Sequence, residues 1–94
     1  MSQRVTTRVT IKNRLGLHAR PAMTFVDLAS TFSAKVTVHR LDAADEHIDG
    51  KSIMQVMMLA ATQGTELEIA AEGEDAEDAC AKLKHLVDSG FGED

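Results

Sequence analysis

The chain has no tryptophan and no tyrosine, and only three aromatic side chains, Phe25, Phe32 and Phe91. Any core must therefore be built from Val, Ile, Leu, Met and Ala. A single cysteine, Cys80, excludes an intrachain disulfide. Cationic excess is also missing: 10 Lys and Arg stand against 15 Asp and Glu, a formal charge of −5. That balance gives no electrostatic reason to expect nucleic acid or an anionic membrane as a partner. No apolar run approaches the roughly 20 residues of a membrane span, and the stretch from Met1 to Thr6 has no apolar region like that of a secretory leader. Cytoplasmic residence is the expectation. No repeat, linker or low-complexity stretch divides the 94 residues, so one domain over 1–94 is expected. The chain is 44% apolar, enough for a compact core without a metal.

What is present is clear periodicity. Val5, Thr7, Val9 and Ile11 alternate with Thr6, Arg8 and Thr10, the period of a half-buried strand. From Ala19 the spacing becomes helical, with Ala22, Phe25, Val26, Ala29 and Phe32 on one stripe. The only proline, Pro21, is compatible with a first helical turn, where its missing N–H would have no intrahelical partner. Val36 and Val38 mark a second strand, and the acidic stretch Asp42 to Glu46 reads as a hairpin connection. Ile48 marks a short third strand. Ser52 to about Leu59 reads as a short apolar helix, and Leu67, Ile69 and Ala71 as a fourth strand. Ala76, Ala79, Cys80, Leu83, Leu86 and Val87 form the stripe of a last helix. Its acidic start and its later Lys82, Lys84 and His85 suit the helix dipole, and Gly90 suits its stop. The order β-α-β-β-α-β-α predicts an α+β fold, a four-stranded antiparallel sheet with three helices on one face and water on the other.

The chemistry concentrates in Gly16-Leu17-His18-Ala19-Arg20-Pro21-Ala22. His18 stands where loop gives way to the first helix, whose leading N–H groups lack partners and whose dipole is positive there. That arrangement forms an anion site. A phosphoryl group carried on the imidazole would lie among those N–H groups, and Arg20 could add charge-assisted hydrogen bonds to its oxygens. Such transfer needs mainly positioning and charge stabilisation. By position alone, a His before a helix is more often a cap-like surface residue than a nucleophile, and a lone Arg such as Arg20 is most often a solvated charge.

Ser52 and Gln55 have the spacing of a capping box. In the same helix Ile53, Met54, Val56, Met57, Met58 and Leu59 are too many apolar side chains for one buried face. Val56 and Leu59 are assigned to the core, and Ile53, Met54 and Met57 to a partner-binding surface. His39, His47 and His85 match no ligand spacing and are read as surface histidines, with no metal or other cofactor expected. Cys80 is read as core.

The Gly16 to Ala22 segment matches throughout the active-site signature G-L-H-A-R-P-A of the histidine-containing phosphocarrier family, HPr, of the bacterial phosphoenolpyruvate-dependent phosphotransferase system. Lys51 to Leu59 resembles the family's second signature, around its regulatory serine, and the similarity extends through Gly73–Glu77 and Phe91–Glu93. The resemblance implies an open-faced β-sandwich, phosphorylation of His18 through Nδ1, phosphate stabilisation by Arg20, and regulatory phosphorylation of Ser52 by an HPr kinase/phosphorylase. It implies enzyme I as donor, enzyme IIA domains or regulatory proteins as acceptors, a monomer, and a carrier rather than an enzyme. Three departures stand out. Gln55 and Ala60 occupy positions where the family often has glycine, and the Asp42 to His47 connection is longer and more acidic than usual. The alternative is a small β-α-β-β-α-β ligand-binding regulatory module without phosphotransfer, since such folds host many functions. A third reading keeps the family but serves signalling rather than sugar transport.

Overall fold

The computed structural model describes residues 3–43 and 47–93. Strands β1 (Arg4–Thr10), β2 (Lys35–Arg40), β3 (Ile48–Asp49) and β4 (Glu66–Glu72) form one antiparallel sheet in the order β1-β4-β2-β3. Helices α1 (Ala19–Ala29), α2 (Ile53–Met58) and α3 (Ala76–Asp88) are followed by a 3₁₀ turn at Gly90–Gly92. The architecture is the expected open-faced sandwich, with three helices over one face of the sheet. The expected hairpin connection from Asp42 to Glu46 falls partly on residues 44–46, outside the described residues.

Alternation decides which side of each strand meets the helices. Val9, Val36, Val38, Leu67, Ile69 and Ala71 are at most 3% exposed, and they pack on Phe25, Val56, Leu83 and Val87. Fully buried alanines at 22, 29, 76 and 79 keep the helix faces small where they approach the sheet. With only three aromatics, close approach of small and branched side chains supplies the packing density of the core. Truncating a fully buried Leu83 or Ile69 would cost about 2–5 kcal/mol.

Two local expectations need correction. The first helix ends at Ala29, so Phe32 lies outside it; Phe32 enters the core from the following turn, where its N–H donates to the Ala29 carbonyl at 3.2 Å. The turn ends there because Asp75 reaches across from the start of α3 and accepts from the N–H groups of Ser33 and Ala34 at 2.9 and 2.8 Å. The capping box is only half made. The Gln55 N–H donates to Ser52 Oγ at 3.3 Å, but the Gln55 side chain turns to the Asp49 N–H at 2.9 Å, because the Ser52 N–H already donates to the Asp49 carbonyl.

Candidate functional site

His18 is the N-cap of α1. Its backbone is extended (φ −77°, ψ −173°), its carbonyl accepts the first helical hydrogen bond from the Ala22 N–H at 3.0 Å, and its side chain caps nothing. The N–H groups of Ala19 and Arg20 have no intrahelical acceptor by position, and Pro21 has no N–H to orphan. The imidazole is therefore free to stand beside the positive end of an 11-residue helix. Arg20, the second residue of α1, is exposed and makes no ion pair with its side chain among the described residues.

The loop before His18 is held from two sides. Asn13, 1% exposed, closes a turn in which its carbonyl accepts from the Gly16 N–H and its Nδ2 donates to the Gly16 carbonyl at 2.7 Å. Gly16 has φ +70°, and a Cβ there would collide with the Ala61 carbonyl. Only glycine meets both demands. Leu17 then hydrogen-bonds through its N–H to that same Ala61 carbonyl at 2.8 Å and buries its side chain.

Glu93 completes the site, and no local signal announced it. Its Oε1 lies 3.1 Å from His18 Nε2 and accepts from Asn13 Nδ2 at 3.1 Å. Three consecutive left-handed residues, Gly90, Phe91 and Gly92 (φ 68°, 58° and 72°), fold the end of the chain back to reach it. Phe91 is the uncommon member, since a bulky side chain rarely adopts this conformation; it is half-buried against the core, which holds the turn. The hydrogen bond from His18 lowers the Glu93 carboxyl below its ordinary range, helped by Asn13. An ionised carboxylate can only accept, so the contact is satisfied when Nε2 donates, and a ring protonated at Nε2 alone has its lone pair on Nδ1. His18, Arg20, Glu93, Arg14 and Leu15 line one open depression.

The second helix divides as expected in part. Val56 and Leu59 are buried, while Met54 and Met57 are 73% and 44% exposed. Ile53, assigned to the partner surface, is half-buried and packs against the core. Three further exposed apolar side chains were not singled out: Leu15 and Met23, on either side of His18 in sequence, and Met58. Ser52 is half-buried at the N-cap of α2.

Residues 5–89 match the family model described as PTS HPr component phosphorylation site. Phosphocarrier protein HPr of Pseudomonas putida is 48% identical over 85 residues, which is 90% of this chain and 92% of that protein. Phosphocarrier protein NPr of Proteus mirabilis is 42% identical over 87 residues, 93% of this chain and 94% of the relative. The crystal structure of HPr-C-His from Thermoanaerobacter tengcongensis has a TM-score of 0.87 and 41% identity, covering 96% of this chain and 98% of its own.

Proposed function

The chain belongs to the HPr family of phosphocarrier proteins, and on that premise we propose that His18 accepts a phosphoryl group on Nδ1 from enzyme I and passes it to enzyme IIA-type acceptors. The observation that carries this reading is the Glu93–His18 contact at the start of α1. With the Nε2 proton engaged by a carboxylate, the nucleophilic lone pair is the one on Nδ1. Attack forms the Nδ1–P bond as the donor's bond to phosphorus breaks. The ring then carries positive charge, which the Nε2–H shares with Glu93. The phosphoryl oxygens meet the Ala19 and Arg20 N–H groups and the dipole of α1, and the Arg20 guanidinium swings onto them. Arg20 has no side-chain ion pair among the described residues before phosphorylation, so its loss should leave the fold intact.

The protein acts in this reading as a carrier, not an enzyme: nothing in the transfer requires it to bind a separate small substrate. Its docking surface is apolar, made by Met54 and Met57 of α2 with Leu15 and Met23 flanking His18, exposed side chains that a small domain keeps for contact. Ser52 is the regulatory site, open to an HPr kinase/phosphorylase. A phosphate there adds about two negative charges at the start of α2. The plain ligand-binding alternative has no use for Gly16 to Ala22 and is not favoured.

Radiolabelled phosphoenolpyruvate with purified enzyme I tests the reading. Label should appear in an acid-labile, alkali-stable form, vanish in His18→Ala, and transfer more slowly in Arg20→Ala at unchanged melting temperature. Losing the Arg20 contact costs on the order of 1.5–3 kcal/mol, or about 10- to 150-fold in rate. Label retained by His18→Ala overturns the assignment of the residue.

A further inference from the structure

We infer that His39 and His47 form a two-imidazole site for a divalent first-row transition ion, Cu²⁺ or Zn²⁺, on the open face of the sheet. The two residues lie on different elements and their spacing matches no ligand motif, which is why the sequence alone sets them aside. The sheet brings them together. Val36 and Val38 of β2 point into the core, so Lys35, Thr37 and His39 point away from it. Antiparallel pairing sets Ile48 opposite Val38, which carries the residue before it, His47, up to His39. His47 Nε2 lies 3.1 Å from His39 Nδ1, the rings edge to face with centroids 4.4 Å apart.

That distance has a chemical meaning. Metal–imidazole bonds of about 2.0–2.1 Å place two donors on neighbouring corners of a tetrahedron or octahedron roughly 2.9–3.4 Å apart. The two nitrogens already hold that separation. In the metal-free protein one of them must carry a hydrogen for the pair to bond. On binding, that ring moves its proton to its other nitrogen, both facing lone pairs go to the ion, and no net proton is lost. Among the described residues no group of three or more His, Cys, Asp or Glu forms a complete cage, so the site rests on the two imidazoles alone. Among the described residues, Glu68 places a negative charge beside His39. It pairs directly across from His39 on β4, with Oε1 3.8 Å from His39 Nδ1. Its other oxygen faces Arg8 Nε at 3.8 Å, a cation that opposes the ion. Two imidazoles with a nearby carboxylate suit Cu²⁺ and Zn²⁺ rather than Mg²⁺ or Ca²⁺, and Cu²⁺ should bind the more tightly. His39 is anchored in β2 at 18% side-chain exposure, so only His47 has to adjust.

Calorimetric titration of the full chain with ZnCl₂ and, separately, CuCl₂ tests this, with amide resonances followed in parallel. One ion should bind per chain, and Cu²⁺ should broaden resonances around residues 39, 47 and 68. Affinity should fall about tenfold or more in His39→Gln and in His47→Gln, by severalfold in Glu68→Gln, and should rise in Arg8→Gln. It should weaken in acid, where protons compete with the ion for the ring nitrogens. His47 is exposed, so His47→Gln keeps its metal-free melting temperature and loss of binding cannot be unfolding. His18→Gln should bind as well as the parent chain. Absence of binding, unchanged affinity in the double variant His39→Gln/His47→Gln, or broadening centred on His18 and Glu93 would each overturn the site. None of these results bears on phosphoryl transfer at His18, which the labelling experiment decides independently.

Discussion

At the scale of single residues, backbone conformation explains a departure that side-chain chemistry does not. Ala60 follows the C-cap of α2 with φ +49°, the left-handed conformation in which helices commonly end on glycine. Its N–H donates to the Met57 carbonyl at 3.1 Å, and Arg40 Nη1 meets the Leu59 and Ala60 carbonyls at 2.9 and 3.3 Å. An L-residue pays about 1–2 kcal/mol for this conformation, partly offset by the smaller freedom of alanine in the unfolded chain. Ala60→Gly is therefore expected to stabilise the protein by up to about 1 kcal/mol, a rise of about 4–8 °C at this chain length at most. A thermal melt measures it, and a lower melting temperature would show that the Arg40 contacts have relieved the strain. The second departure, Gln55, is explained by its side chain, which ties α2 to the Asp49 N–H at the end of β3.

Among the elements, α2 carries a division of labour. Six residues are too few to be stable alone; the helix stands because Val56 and Leu59 are buried beneath it and Ser52 caps it. Its outer side is left with methionine. Met54→Glu and Met57→Glu are expected to change stability by no more than about 0.5 kcal/mol while weakening affinity for enzyme I. Val56→Glu, at 1% exposure, should leave an unpaired charge in the core and unfold the domain. A melting curve beside a binding titration for the three variants separates these cases. A large fall in melting temperature for either methionine variant would place that side chain in the core, and unchanged affinity for enzyme I would move the docking surface elsewhere.

For the whole molecule, long-range carboxylate contacts make stability depend on acid. Asp75 joins the start of α3 to the turn after α1, and the backbone N–H of Ser33, then that of Ala34, lowers its carboxyl below the ordinary 3.8. A lowered folded value means that the unfolded chain takes up the proton first. The Asp75 contribution is therefore complete above the ordinary value and is lost as pH falls through the depressed one. Glu93 adds a contribution of the same sign while His18 holds it. Denaturant unfolding of the parent chain and of Asp75→Asn at neutral pH and near pH 3 should show the larger loss in the parent, so that the two curves converge in acid. Parallel curves would mean that the N–H groups of Ser33 and Ala34 are equally well served by an amide.

Much of this architecture is legible in local sequence. Alternation at Val36 and Val38, and the stripe Ala76 to Val87, name the buried faces because the period of a strand or helix is a property of neighbouring residues. The Gly16 to Ala22 segment likewise contains its own N-cap and helix start, so His18 and Arg20 are marked as candidates by seven consecutive letters. The contacts that complete the site have no such signature. Glu93 meets His18 across 75 positions, Asp75 meets Ala34 across 41, and His47 meets His39 only when β3 pairs with β2 in one register. Even the Gln55 side chain, three residues from Ser52, chose a backbone partner on another element. Strand order and register follow from packing every element at once, and a short stretch of chain holds no record of which distant partner will be available when that packing is complete.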